Sequence, residues 1–286
     1  MSRIRMGWRL AKDSWAVLKA DRSLAIFPLL STLAAAAAFA LFFVPGIIWS
    51  EVTDRDWIVV PFLLVGGYAA TYLVVYFNVA LAGAANLSME GRDTSVSDGL
   101  AVSRQRRGLV AKWALVQFVV GVLVNFVESF FSEGSDARLA ATVTSALASA
   151  AWSVASFFVI PLLALEGLGP GDALKRSVSL VRERWSEGLV GSAAIGLAVF
   201  LVGLLPVIFL FNAAAVGSEV DPILGGVLGV IAMLALIGTA ALGSALGVIF
   251  RVGLYRYATQ GQITGGFAQQ DMVDAFSPRR RVSRGA

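Results

Sequence analysis

Apolar residues fall into six long stretches along the chain, and charged residues are largely confined to the segments between them. A helix needs about 20 mostly apolar residues to cross the hydrocarbon core of a bilayer, and each stretch is long enough. We predict spans at about residues 24–49, 57–87, 109–131, 139–165, 188–216 and 222–250. The pattern therefore predicts an all-α, polytopic membrane protein with six transmembrane helices.

The first span is predicted to be retained rather than cleaved as a signal peptide. Its apolar run covers 26 residues after 23 residues of preceding sequence. The apolar core of a signal peptide is shorter, at about 7–15 residues.

The segments between the spans alternate in length, with about seven residues on one side and about twenty on the other. Short connections are typical of helical hairpins. We therefore predict three hairpins, each preceded by an amphipathic helix at the membrane interface, as repeats at about 1–87, 88–165 and 166–261. Duplication of a hairpin accounts for such a repeat as well as a transport function does.

Two of the connecting segments carry apolar residues in steps of four and three, which is the spacing of one helix face. The first has Ile4, Trp8, Ala11, Trp15 and Leu18, and the third has Leu174, Val178, Val181 and Trp185. Ser14 aligns with Ser177 in this comparison, and Ser103 marks the weaker middle copy. Met89-Glu90-Gly91 and Leu165-Glu166-Gly167 form a second echo at the ends of even-numbered spans.

Positive charge predicts the orientation. With the N-terminus inside, 21 of the 23 Lys and Arg residues lie in inside segments, and only Arg55 and Arg138 lie outside. Inside segments of plasma-membrane proteins carry this excess. We predict a plasma-membrane protein with both termini in the cytoplasm, a membrane domain at 1–265, and a basic, disordered tail at 266–286.

Composition narrows the chemistry. Apolar residues make up 57% and charged residues 15%, and there is neither histidine nor cysteine. Thiolate catalysis, histidine base catalysis and Cys/His metal sites are thereby excluded. The chain has none of the common nucleotide, hydrolase or zincin motifs. We expect no enzyme activity, no cofactor and no metal.

Two further ligand classes are disfavoured. Convergence of Glu90, Asp98, Glu166 and Asp172 would suit a divalent cation, but helix capping explains the aspartates better. The basic isoelectric point follows from the membrane topology, so a nucleic-acid partner is not expected.

Basic residues on the inside helices are the first candidate site. A basic amphipathic helix beside a membrane lies in the interface and attracts anionic phospholipid, and it also suits a protein partner. The alternative is a helix that packs under the bundle and only satisfies the charge rule. The candidate residues are Lys175, Arg176, Arg182, Arg184, Arg104, Arg106 and Arg107.

Polar residues within the spans are the second candidate site. They suit the lining of a cavity, although such groups more often hydrogen-bond between helices. The span middles carry no charge, so proton coupling is not expected. The candidates are Tyr68, Tyr72, Tyr76, Asn78, Gln117 and Asn125.

Small residues and one proline predict how the spans pack. Ala141, Ser145, Ser149 and Ser153 step by four along span four, and GxxxG pairs begin at Gly225 and Gly243 in span six. Such spacing predicts close packing within one bundle and, as a second possibility, a homo-oligomer. Pro206 is predicted to bend span five.

Several motifs resemble a known family. They are GWRLAK at 7–12 with DRSL at 21–24, PLLALEG at 161–167 with ALKRS at 173–177, and LYRYAT at 254–259. These segments resemble an uncharacterised bacterial family of six-span membrane proteins over nearly the whole length. The EG…ALKRS segment is also similar to the membrane domain fused to some glycerophosphodiester phosphodiesterases. That resemblance implies a fold and no catalytic residue, since the hydrolase chemistry there belongs to a separate soluble domain.

The leading functional hypothesis is a non-enzymatic plasma-membrane protein, a scaffold or accessory subunit whose basic inner face contacts anionic lipid or a partner. The alternative is a channel or transporter for an uncharged or amphipathic, lipid-like solute. A polar cavity reaching the midplane of the membrane favours transport, and a solidly packed core favours the scaffold.

Overall fold

The computed structural model describes residues 15–19, 21–130, 135–184, 196 and 199–260. These residues form helices and short helical turns, and no strand occurs among them. The longer helices are α1 (Ile26–Thr53), α2 (Val59–Met89), α3 (Val96–Gln105), α4 (Arg107–Phe130), α5 (Ser135–Ala155), α6 (Pro170–Arg184), α7 (Leu205–Val220) and α8 (Pro222–Gln260).

Six helical segments in the described part of the chain are long and apolar enough to cross a bilayer, which confirms the predicted number. They cover Ser23–Thr53, Asp56–Met89, Arg107–Phe126, Thr142–Glu166, Phe200–Val220 and Pro222–Gln260. The last segment continues beyond the predicted end at residue 250. It stays helical because Val252, Leu254 and Tyr255 are buried against neighbouring helices, although Arg251 interrupts the apolar run.

The core lies towards one end of the bundle. The C-terminal halves of α2 and α8 meet the first turns of α4 and the segment between α5 and α6 there. We call this the core end. Fully buried side chains in it include Leu24, Phe27, Leu81, Trp113, Phe158, Leu162, Ile249 and Leu254.

Towards the other end, large apolar side chains are exposed. Leu41, Val52, Val220 and Ile223 are 69%, 79%, 80% and 77% exposed. Lipid tails are as apolar as these side chains, so such a surface is compatible with contact with the hydrocarbon core of a bilayer. The six spans therefore combine a buried apolar core at one end with exposed apolar side chains towards the other.

Close helix contacts use small residues. A Cβ atom at Gly99 of α3 would lie 2.7 Å from the Ala80 carbonyl oxygen of α2. Gly225 of α8 meets Ser218 of α7 at 2.6 Å in the same way, whereas a Cβ at Gly229 meets nothing within 4 Å. Of the first GxxxG pair, only Gly225 therefore makes a close contact with another described helix, and Gly229 does not.

Span four is interrupted before α6. Turns replace helix at 156–158, and a π-helical turn covers Leu162–Glu166. The backbone N–H of Phe158 in this interruption donates to the Ser177 hydroxyl at 3.0 Å. Gly167 then takes a left-handed conformation with φ of 67° and ends the π-helical turn.

Span five also contains a π-helical turn, Phe200–Leu204, directly before α7. Pro206 sits in the first turn of α7. Proline has no N–H to donate to the preceding turn, so the distortion lies where the sequence predicted a bend.

The buried face of α6 differs from the predicted stripe. Ala173, Ser177 and Leu180 are its most buried residues, while Leu174, Val178 and Val181 are only half-buried. The predicted apolar stripe therefore lies along the edge of the contact, because small Ala173 and hydrogen-bonded Ser177 permit the closest approach.

Candidate functional site

The predicted basic residues lie mostly on the surface. Lys175, Arg176 and Arg182 are exposed on α6, and Arg104 and Arg107 are exposed where α3 meets α4. We call these five residues the basic surface. Arg184 is the last residue of α6, and its side chain lies outside the described residues.

Arg106 differs from the other predicted basic residues. It is the single residue between α3 and α4, and it is half-buried. Its guanidinium lies directly against Gly167, in the space that a Cβ atom there would fill. Arg106 therefore joins the α3–α4 corner to the segment that leads into α6, instead of pointing freely outward.

The two Glu-Gly motifs are tied to α8. Arg256, which is 4% exposed, donates to Glu90 at 2.9 Å and to the Asn86 side-chain oxygen at 2.7 Å. The neighbouring Tyr255 hydroxyl donates to Glu166. Adjacent residues of the last helix thus hold the ends of the second and fourth spans.

The motif comparison alone did not assign this role to Tyr255 and Arg256. The available signal was that both residues lie in the LYRYAT segment at 254–259, just after the predicted span six.

Glu90, Asp98, Glu166 and Asp172 do not form a metal-holding group within the described residues. Glu90 and Glu166 are engaged by α8, and Asp98 caps α3 together with Ser95. Hydrogen bonds from the Ser95 side chain and backbone lower the pKa of Asp98. Within the described residues there is no group of three acids placed to hold a metal ion.

A cavity of about 360 Å³ opens between α4, α5 and α8. We call it the polar cavity. Its described lining residues include both predicted polar residues of span three and three serines, and they are Gln117, Val120, Gly121, Val124, Asn125, Ser149, Trp152, Ser153, Ser156, Phe157, Ile160 and Arg251. Gln117 and Asn125 follow the start of α4 at Arg107 by about 15 Å and 27 Å, at 1.5 Å per residue. The polar cavity therefore reaches far along the span.

Aromatic packing shapes one wall of the polar cavity. The Trp152 indole N–H donates to the Gln117 side-chain oxygen at 2.8 Å, and its ring stacks on Trp113 with centroids 5.6 Å apart. The Asn125 amide donates to the Gly121 carbonyl oxygen at 2.8 Å. These contacts hold both amide side chains in place.

The other predicted polar residues lie elsewhere. Tyr68, Tyr72 and Tyr76 pack against the core, and the Tyr68 hydroxyl donates to the Ala111 carbonyl oxygen at 3.3 Å. Asn78 accepts a hydrogen bond from Ser244 of α8 at 3.4 Å. The structure thus brings Gln117 and Asn125 to the polar cavity and places the tyrosines and Asn78 between helices.

Arg251 was not among the sequence candidates, because it follows the predicted end of span six. The structure places it within α8, where it lines the polar cavity. Its guanidinium lies 5.2 Å from the centre of the Phe157 ring. Arg251 lies in the last third of α8, after the predicted end of span six, so the prediction that the span middles carry no charge is not affected.

Comparison with known proteins gives a family without an activity. A search of the curated proteins found no match to this chain. A family profile described as a family of unknown function matches residues 56–266, which is well over half of the chain. The chain therefore belongs to the DUF6159 family of unknown function.

Proposed function

We propose that this protein is a non-enzymatic scaffold or accessory subunit of the plasma membrane. Both termini lie in the cytoplasm, and the core end faces the cytoplasm. The basic surface contacts anionic phospholipid headgroups, and it offers a second role in holding a protein partner. The six spans form three hairpins, with interfacial helices before them.

The observation that carries this proposal is the basic surface beside the core end. Its five exposed cations lie on α3, α4 and α6. Helix α3 packs on α2 and α4, α4 also packs on α2 and α5, and α6 packs on α4 and α5. A cation next to an anionic membrane surface contributes about 1 kcal/mol of binding free energy. Several such cations on helices that pack against one another suit a scaffold.

The internal repeat is supported by the two aligned serines. Ser103 and Ser177 are both fully buried. The Ser103 hydroxyl donates to the Tyr76 carbonyl oxygen at 2.7 Å, and the Ser177 hydroxyl accepts from the Phe158 N–H. Each serine therefore binds the backbone of a preceding span, as equivalent positions in two repeats would. Ser14, the third aligned serine, lies outside the described residues.

A matched pair of charge removals tests the lipid contact. The variants Arg176→Gln and Arg55→Gln each remove one exposed cation, the first from the basic surface and the second from the segment after α1. We expect Arg176→Gln, but not Arg55→Gln, to reduce the share of phosphatidylglycerol bound to protein extracted from mixed phosphatidylglycerol and phosphatidylcholine vesicles. Lipid mass spectrometry measures that share. Equal shares for wild type and both variants would refute the proposed contact.

Transport of an amphipathic solute is the second candidate function, and the polar cavity favours it. Polar side chains deep within a span suit a solute path as well as packing. Purification in mild detergent separates the two candidates. A protein partner in fixed stoichiometry supports the scaffold, whereas partner-free protein that moves a fluorescent lipid between vesicle leaflets supports transport.

A further inference from the structure

We infer that two cavities meeting at Arg251 form one intramembrane binding site for an anionic amphiphile. The anionic head lies in the polar cavity, and one alkyl chain lies in a second cavity on the other side of Arg251. This inference goes beyond the scaffold proposal, because the site is separate from the basic surface.

The second cavity, which we call the glycine cavity, has a volume of about 240 Å³. It is lined by Phe157, Gly196, Val199, Gly243, Gly247, Phe250 and Arg251. Phe157 and Arg251 line both cavities, so the two spaces are neighbours. Apart from the guanidinium, every described side chain in the glycine cavity is apolar or absent. It therefore suits a hydrocarbon chain.

Charge is the main argument for an anion. Among the residues described here, Arg251 has no acidic partner and no hydrogen-bond acceptor. Its guanidinium makes a cation–π contact with the Phe157 ring. A charged side chain within a span is costly unless it is paired. An anion beside the guanidinium would offset that cost, and arginine matches carboxylate and phosphate through two parallel hydrogen bonds.

The polar cavity adds donors and no competing acid. Gln117 uses its side-chain oxygen to accept from Trp152, so its amide N–H groups are directed elsewhere. Ser149 and Ser153 bring two hydroxyls. No acidic residue is present among the described lining residues of either cavity. A cation with several neutral donors is a suitable lining for an anionic head.

The glycines show that the space is accessible to atoms. A Cβ atom at Gly121, Gly196 or Gly247 would meet nothing within 4 Å. A side chain added at these positions therefore starts in open space. The same property makes them useful for testing the site.

The shared ligand chemistry is a carboxylate or phosphate head on an alkyl chain, and it has two sources, a membrane phospholipid or a free fatty acid. The probes are phosphatidylglycerol for the first and oleate for the second. Oleyl alcohol has the same chain as oleate without the charge. Native mass spectrometry of the full chain in detergent measures one-to-one complexes with each probe.

We expect wild-type protein to bind at least one of the two anionic probes at least tenfold more tightly than oleyl alcohol. Arg251→Gln removes that preference, Gly247→Leu weakens binding by filling the glycine cavity, and Gly121→Leu weakens it by filling the polar cavity. Gly226→Leu is the matched control, because Gly226 is exposed and equally open. Binding to phosphatidylglycerol but not oleate identifies the lipid source, and the reverse identifies the fatty acid.

The inference is overturned if neither anionic probe is preferred over oleyl alcohol, or if Arg251→Gln keeps the preference unchanged. It is also overturned if Gly226→Leu weakens binding as much as both cavity-filling variants do. Thermal unfolding without probe checks that each variant is folded, and Arg251→Lys, which retains the charge, is expected to keep part of the preference. Arg251→Gln should leave the lipid share at the basic surface unchanged, so this test and that of the scaffold proposal fail separately.

Discussion

Two arginines of α8 show how strongly the role of a side chain depends on its surroundings. Arg256 is buried and bound to Glu90 and Asn86, whereas Arg251 lies between two cavities. Hydropathy treats both as residues that follow a span, because a charge lowers the local mean wherever its side chain points. Their separate environments depend on contacts with Glu90 and Phe157, which are distant in sequence.

The Arg256–Glu90 pair is expected to stabilise the core end. Glu90→Gln, Arg256→Gln and the double variant form a cycle that isolates the pair. Hydrogen bonds to charged groups contribute about 1.5–3 kcal/mol. We expect a coupling free energy nearer 1 kcal/mol, since Glu90 is 40% exposed and its charge is screened by solvent. Equilibrium unfolding in mixed micelles measures this coupling, and a value of zero would show that the pair contributes nothing.

Gly99 is expected to tolerate no side chain. An added Cβ would lie 2.5 Å from the Phe27 ring and 2.7 Å from the Ala80 carbonyl oxygen. Such overpacking costs about 1–3 kcal/mol. Gly99→Ala should therefore lower the unfolding free energy by that amount, whereas Gly108→Ala, which meets nothing within 4 Å, should not lower it. Similar unfolding free energies for the two variants would argue against the close contact of α3 with α2.

At the scale of elements, sequence periodicity located α6 but placed its buried face one residue too far along the chain. Steps of four and three identified Leu174, Val178 and Val181, but the centre of the contact lies on Ala173, Ser177 and Leu180. Hydropathy favours large side chains. Close packing favours small ones, and only the position of the neighbouring helix decides between them.

The Ser177 hydrogen bond is expected to hold α6 against the interrupted span. Ser177→Ala removes the hydroxyl that accepts from the Phe158 N–H, and a hydrogen bond of this kind contributes about 0.5–1.5 kcal/mol. Ser218→Ala removes an exposed hydroxyl that donates within its own helix, and it serves as the control. Hydrogen exchange at Phe158 should speed up in the first variant alone. Unchanged exchange there would show that the bond does not hold the segment.

At the scale of the molecule, the sequence predicted the class, the number of spans and part of the polar cavity. Length and hydropathy suffice for spans because the bilayer imposes them. The pairing of Glu90 and Glu166 with α8, and the position of Arg251, depend on contacts made by the last helix. These contacts join residues that are separated by 89 to 166 positions in the sequence. Such long-range contacts have no local signature.

The central claim is a six-span membrane protein whose core end faces the cytoplasm, and cysteine labelling in intact cells tests it most directly. The chain has no cysteine, so single cysteines report one position each. Asp54 has a positive φ of 52°, which makes its exposed neighbour Asp56 the better site. The variants are Asp56→Cys and Glu219→Cys on one side, and Asp93→Cys and Lys175→Cys on the other.

We predict that a membrane-impermeant maleimide labels the first two variants in intact cells, and the second two only after permeabilisation. Labelling of Asp93→Cys and Lys175→Cys in intact cells, with Asp56→Cys and Glu219→Cys protected, would contradict the orientation. The two members of each pair should lie on the same side of the membrane. If one member of a pair were labelled in intact cells and the other were not, the six-span arrangement itself would be contradicted.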